Sequence, residues 1–278
     1  MLLTERYSDE RRLLKYGYHA YSQNDEDGII AEIFRRIGTT SKSFVEIGVE
    51  DGRECNTLNL LIGGWSGAWV EQSKQDVAQA RATFSEWTAS GQLAVECATV
   101  TAANADELVK RVAPASEIDL LSIDIDGNDY WVWRQIESLK PRVVVIEYNA
   151  IWRPPLAVTS TYDEKYSAPG PHYGGVSLKA LEILGRRKGY HLVGCCFAGV
   201  NAFFVKEDLC QHGFSEPFAA ENHFEPFRLF MTFGSTSPRP GFVPMQFVPS
   251  VEDSEQLRDS PQAIGRIAAS PSIQAKVR

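Results

Sequence analysis

The sequence predicts an α/β protein organised around a parallel sheet and finished by an antiparallel hairpin. Five short apolar runs between residues 43 and 147 alternate with helical stretches, the pattern of strands joined by crossover helices. Four of those runs lead into acids, at Glu46 to Asp51, Glu71, Asp124 to Asp129 and Glu147. In a parallel sheet the ligand crevice lies at the carboxyl ends of the strands, so acids gathered there mark a site. Two later runs are separated only by Phe197 to Val200, too short for a crossover, and therefore pair antiparallel.

The 278 residues are 44% hydrophobic and 23% charged, enough apolar material for one large domain. A formal net charge of −8, with no block of Lys and Arg, argues against a nucleic-acid partner. No apolar run approaches the length of a membrane-spanning helix, and residues 1 to 12 lack the apolar core of a signal peptide. The expectation is a cytoplasmic protein with no membrane partner. Five cysteines, odd in number and without a C-x-x-C pair, point to buried thiols rather than a disulfide framework or a zinc site.

In chain order, residues 5 to 16 read as a first helix with Leu13 and Leu14 on its apolar side. Ile29, Ile30, Ile33, Phe34 and Ile37 recur at helical spacing, Gly38 stops this second helix, and Asn24 to Asp27 cap it with an acidic first turn. Ser22, Gln23 and Asn24 stand at its entrance. They either cap the helix alone, or Gln23 and the nearby acids close over the amino-acid end of a ligand bound at Gly48 to Gly52.

Phe44, Val45 and Ile47 suit a buried strand, and Glu46 interrupts them. A carboxylate there costs several kcal/mol unless it is satisfied, so Glu46 is either paired internally or aimed at a ligand. Gly48 and Gly52 permit a tight turn and close approach of a ligand to the main chain, and Asp51 adds charge. The turn Gly48-Val-Glu-Asp-Gly52 is not the G-x-G-x-x-G of a dinucleotide site, and its carboxylates would repel a diphosphate. A cationic ligand without phosphate fits better. S-adenosylmethionine is such a ligand, with a sulfonium, an ammonium and two ribose hydroxyls that donate to carboxylates.

Residues 55 to 62 form a helix opening on Asn56 and Thr57, and Ser66 to Glu71 a second strand. Glu71 follows Gly48 by 23 residues (71 − 48), the separation at which the second strand of a nucleotide-binding unit offers a carboxylate to ribose hydroxyls. Residues 75 to 90 read as a helix, 93 to 98 as a third strand, 103 to 112 as a helix, and Ile118 onward as a fourth strand entering the acid cluster. A helix over 132 to 139 and a fifth strand over 142 to 147 follow. Residues 150 to 176 carry Trp152, Tyr162, Tyr166, His172, Tyr173 and four prolines, and a loop of that length without structure of its own is a binding segment. A helix over 177 to 188 precedes the hairpin. From Gly234 onward prolines mark a docked or mobile arm, with a short helical piece at 261 to 269.

Taken together, the stretches at 22 to 28, 44 to 52, 69 to 71, 122 to 130, 143 to 149 and 201 to 205 resemble the FkbM-like family of S-adenosylmethionine-dependent methyltransferases, over roughly residues 18 to 208. The resemblance implies a Rossmann-like seven-stranded methyltransferase sheet, order 3-2-1-4-5-7-6 with the last strand antiparallel, and helices on both faces. Residues 1–40 become helices covering the cofactor site, 41–210 the core with a substrate loop at 150–176, and 211–278 a C-terminal extension. The implied cofactor site is Gln23, Glu46, Gly48, Asp51, Gly52, Asn56, Glu71 and Asp124, with adenine near Thr99 and Val100. Magnesium-binding relatives imply metal ligands at Asp124, Asp126, Glu147 and Asn149. The residues alone also allow a metal-free site, in which one of Asp124 and Asp126, two apart on a strand and so on one face, binds the cofactor and the other orders the loop. The first turn departs from the commonest three-glycine pattern, with Val49 and Glu50 at its middle.

Methyl transfer to a hydroxyl on a sugar or secondary metabolite needs alignment and a base, and Asp126, Asp129 and His172 are the candidates. Trp131, Tyr148, Trp152 and Tyr173 are candidates for an acceptor wall. Two other classes stay open: a metal-dependent glycosyltransferase using Asp124-x-Asp126, and a methyltransferase-like binding module without activity. The partner expected is a small-molecule acceptor, and assembly into a homo-oligomer is compatible with the sequence.

Overall fold

The structure is a computed structural model describing residues 5–164, 174–211, 213–228 and 247–249. Its elements in chain order are α1 (Glu5–Ser8), α2 (Glu26–Ile37), β1 (Ser43–Ile47), α3 (Leu58–Ile62), β2 (Ser66–Glu71), α4 (Lys74–Thr83), α5 (Ser85–Ala89), β3 (Leu93–Cys97), α6 (Ala105–Val112), β4 (Leu120–Ile123), α7 (Asp129–Gln135), β5 (Val143–Glu147), β6 (Val158–Ser160), α8 (Leu178–Arg187), β7 (Tyr190–Cys195), β8 (Asn201–Lys206), α9 (Ala220–His223) and β9 (Phe247–Pro249).

Seven strands form one sheet in the order β3-β2-β1-β4-β5-β8-β7. The first five run parallel, and β8 lies antiparallel to both β5 and β7. This is the Rossmann-like methyltransferase sheet expected from the sequence, with the last two numbers raised by one because β6 lies outside it. Helices cover both faces. Phe44, Leu120, Val143, Val145, Phe203 and Val205 pack with Ile29, Ile30 and Ile33 of α2, whereas Val45, Ile47, Ile123, Val144, Ile146 and Phe204 pack with Trp133 of α7 and Leu181 of α8. Side chains alternate along a strand, so the same parity carried to the strand ends puts Glu46, Asp124, Glu147 and Asn201 on the α2 face. A polar row thus crosses the carboxyl end of the sheet above an apolar core.

Several elements differ from the sequence reading. The expected first helix over 5 to 16 is broken, because Asp9 accepts the main-chain N–H of Arg11 through its side chain and that of Arg12 through its carbonyl, ending α1 in a turn. The helix expected over 75 to 90 splits into α4 and α5 at Phe84, whose ring meets Trp69 edge-on at 4.9 Å. The expected unstructured loop contains β6, which pairs antiparallel with β9 from the C-terminal arm. Residues 213 to 228 are docked: buried Glu225 accepts from Arg6, Tyr7 and Arg228 and ties this segment to α1. The helical piece expected at 261 to 269 lies outside the described residues. Among the described residues no helix is long and apolar enough to cross a membrane.

Candidate active site

The turn after β1 is built from alternating left-handed residues: Gly48 at φ +81°, Glu50 at φ +49° and Gly52 at φ +78°. Glu50 is not a glycine, and that conformation is uncommon for a residue with a Cβ. Glu71, at the end of β2, holds it there. One Glu71 oxygen accepts the Glu50 N–H at 3.0 Å and the other accepts the Ser73 N–H at 2.8 Å. Each oxygen keeps a further lone pair for a hydroxyl donor. Burial, reinforced by the neighbouring acids Asp76, Glu71 and Asp126, pushes the Glu50 carboxyl up, and a cation placed among these acids would oppose that shift.

The glycines have a second cause besides turn geometry. A β-carbon on Gly48 would fall 1.7 Å from the Asp124 carbonyl oxygen, and one on Gly52 would fall 2.5 Å from the Trp69 ring. The space a β-carbon would take at both positions is filled by the protein itself. Glu46 is likewise used by the chain. Its oxygens accept the N–H groups of Asn56 and Thr57 at 2.9 and 3.0 Å and the Thr57 hydroxyl at 2.5 Å, and it is 2% exposed. Of the two readings open for Glu46, the internal pairing is the one observed. Asn56 continues the network by donating to the Ser122 hydroxyl. Asp51 faces α4, accepting from Gln79 and from the Arg53 N–H.

A triplet of carboxyls converges beyond the turn. One oxygen each from Asp124, Asp129 and Glu147 lies within 4.8 Å of the others. Burial first, then mutual repulsion, pushes Asp124 and Glu147 well above the carboxylate range, and Asp129 is raised to about 6. The oxygens of Asp129 accept the N–H groups of Ile125 and Gly127, both at 2.9 Å, and wrap the loop around the carboxyl. An all-oxygen set whose charges repel in partial burial fits a hard divalent cation such as magnesium, which takes a few carboxylates and keeps water.

This is not the metal set expected from the sequence. Asp124 and Asp126 do not share a strand face, because β4 stops at Ile123 and Asp126 turns into the left-handed region at φ +58°. Asp126 is exposed and lies outside the triplet, and Asp129, expected as a base, takes its place. Asn149 is spent on the loop, donating to the Gly174 carbonyl at 2.7 Å and accepting the Ile151 N–H. His172 lies outside the described residues.

The loop after β5 reaches over the acid turn. Trp131 donates to the Ser160 carbonyl, the Ser160 hydroxyl donates to the Gly127 carbonyl, and Asn128 donates to the Asp163 carbonyl. The Tyr162 hydroxyl accepts the Ala102 N–H just past Thr99 and Val100, which lie in the loop after β3 with Thr99 exposed and Val100 against the core. At the entrance of α2, Gln23 is exposed, whereas Asn24 and Glu26 are buried. The sequence marks Glu50 only as a charge in the turn and Glu26 only as part of the acidic first turn of α2, and Asn201 carries no signal beyond its polar character at a strand end.

No family model and no curated protein matches this chain. Among solved structures it is similar to an O-methyltransferase from Bacillus cereus in complex with SAH, at 18% identity over 49% of this chain and 61% of that one, TM-score 0.35. It is similar to magnesium protoporphyrin IX methyltransferase from Synechocystis PCC 6803 with bound SAM, at 12% identity over 65% of this chain and 77% of that one, TM-score 0.43. A third is the CcbJ methyltransferase from Streptomyces caelestis, at 14% identity over 68% and 99%, TM-score 0.41. The match spans 61% of the Bacillus cereus chain and 54% of the pyocyanin biosynthetic protein PhzM. At these identities the likeness is one of fold.

Proposed function

We propose that this chain is an S-adenosylmethionine-dependent methyltransferase of FkbM-like type, acting on a hydroxyl of a sugar or secondary metabolite with magnesium at Asp124, Asp129 and Glu147. One observation carries the reading: the turn that suits a cationic nucleoside and the carboxyl triplet abut, with Gly48 packed directly against the Asp124 carbonyl. A methyl donor lying along Gly48 to Gly52 and Glu71 therefore ends beside the place where an acceptor oxygen is held.

Glu71 binds the ribose hydroxyls, and the acidic field around Glu50 favours the sulfonium. Magnesium, when bound, lowers the pKa of the acceptor hydroxyl and orients it. The acceptor oxygen forms a bond to the methyl carbon as the sulfur–methyl bond breaks, and its electron pair returns to sulfur to leave a neutral thioether. Alignment of oxygen, methyl and sulfur is the main contribution of the protein. The hydroxyl proton passes to Asp126, which is exposed beside the triplet and can release it to solvent.

The experiment is incubation with methyl-labelled S-adenosylmethionine, magnesium and a panel of sugar and polyol acceptors. Label on an acceptor oxygen, with the thioether product formed in equal amount, supports the reading. Cofactor binding without transfer to any acceptor favours a non-catalytic module. A glycosyltransferase using Asp124-x-Asp126 would leave the acidic turn at 46 to 51 and Glu71 without a role.

A further inference from the structure

The entrance of α2 and the start of β8 share one buried carboxyl. Glu26 is fully buried, and it accepts the Asn24 N–H at 2.7 Å, the Asn24 side-chain amide at 3.2 Å and the Asn201 side-chain amide at 3.1 Å. Both amide NH2 groups reach the same Glu26 oxygen, and Asn24 also donates to the Gln23 side-chain carbonyl at 3.4 Å. A flipped amide would set a carbonyl against that carboxylate, so the orientations are fixed. The two carbonyl oxygens are then left over. Asn24 is 8% exposed and Asn201 is 2% exposed, and neither Oδ1 has a hydrogen-bond partner. Buried acceptors without donors are costly and call for a ligand or water that donates.

The location ties this feature to the candidate site. Asn201 stands directly opposite Glu147 in the β5–β8 ladder, so their side chains share the α2 face at the mouth of the sheet. Glu26 is also one of the acids whose field reaches Asp124. The segment before α2 is pinned, because Asp27 accepts the N–H groups of Ala20, Tyr21 and Ser22 within 2.8 Å. Two neutral acceptors without donors thus stand around one buried carboxylate in a rigid frame. An ammonium supplies three donors and the matching charge.

We propose that Asn24, Glu26 and Asn201 form a subsite for the ammonium group at the amino-acid end of the methyl donor. The inference rests on the methyltransferase reading above. It assigns the specificity for that end of the donor to the α2 entrance and β8, and it leaves the nucleoside to Glu71.

The test is calorimetric titration of three nucleosides into wild type, Asn24→Ala, Asn201→Ala and Asn201→Ser. The ligands are S-adenosylhomocysteine, its analogue lacking only the α-amino group, and 5′-methylthioadenosine, which lacks the whole amino-acid end. Wild type should prefer S-adenosylhomocysteine over the deaminated analogue by about tenfold or more. In the variants that preference should fall towards one while 5′-methylthioadenosine binds as in wild type, which also reports an intact fold. Equal binding of the first two ligands by wild type overturns the subsite. So does an undiminished preference in the variants that retain 5′-methylthioadenosine binding. Failure of all three ligands to bind wild type overturns the methyltransferase reading itself, and the subsite with it.

Discussion

Gly48 and Asp124 are in contact through the main chain: a β-carbon on Gly48 would lie 1.7 Å from the Asp124 carbonyl oxygen. The first strand's exit turn and the fourth strand's acid loop are therefore one packed unit. Gly48→Ala adds an overlap with main chain to a left-handed φ of +81°. We expect it to cost about 3 kcal/mol or more, read as a lowered denaturant midpoint. An unchanged midpoint would mean that the two loops are not so joined.

Glu46 holds the entry to α3 by accepting the Asn56 and Thr57 N–H groups, while Thr57 in turn accepts from the Trp69 indole. Glu46→Gln puts an NH2 group against one of these buried donors. A loss of about 2 kcal/mol of unfolding free energy is expected. A neutral effect would show that the carboxylate is not what orders residues 55 to 57.

The triplet and the sequence-read metal set make different predictions. In a magnesium titration, Asp129→Asn and Glu147→Gln should each weaken binding by about tenfold or more, because each removes an anionic ligand of a hard cation. Asp126→Asn should change affinity by less than about threefold and lower turnover instead. The reverse pattern would restore Asp126 as a ligand.

Asp25 makes stability depend on pH. Burial, with Glu26 beside it, raises its carboxyl from the ordinary 3.8 to about 7, partly opposed by the Phe197 N–H it accepts. The folded chain then holds a proton that the unfolded chain has lost. That contribution is fully present below about pH 4 and disappears as pH rises through 7. Asp25→Asn keeps an oxygen for Phe197 and removes the titration. Relative to wild type it should gain on the order of 3 kcal/mol between pH 4 and pH 8 in denaturant unfolding. A constant difference across that range would contradict the assignment.

The sheet was legible because apolar runs such as 143 to 147 alternate with helical spacing, and because the turn at 197 to 200 leaves only a hairpin. The acid triplet was half legible. Reading Asp124 and Asp126 as neighbours assumed that β4 continues, whereas the strand ends at Ile123 and Asp126 turns left-handed, which brings Asp129 round instead. The pairing of β6 with β9 joins residue 158 to residue 249, a contact that no local pattern encodes. The sequence shows Glu50 as a charge in the turn but not its structural role. Its left-handed φ and its bond to Glu71 exist only once β1 and β2 are side by side.

The central claim is that Glu71 and the turn it closes bind a cationic nucleoside. Its most direct test is calorimetric titration of S-adenosylmethionine, and separately of a nucleotide sugar, into wild type and Glu71→Ala, with and without magnesium. The account predicts that wild type binds S-adenosylmethionine with or without the metal and that Glu71→Ala abolishes this binding. Binding of the nucleotide sugar alone, and only with magnesium, would contradict it.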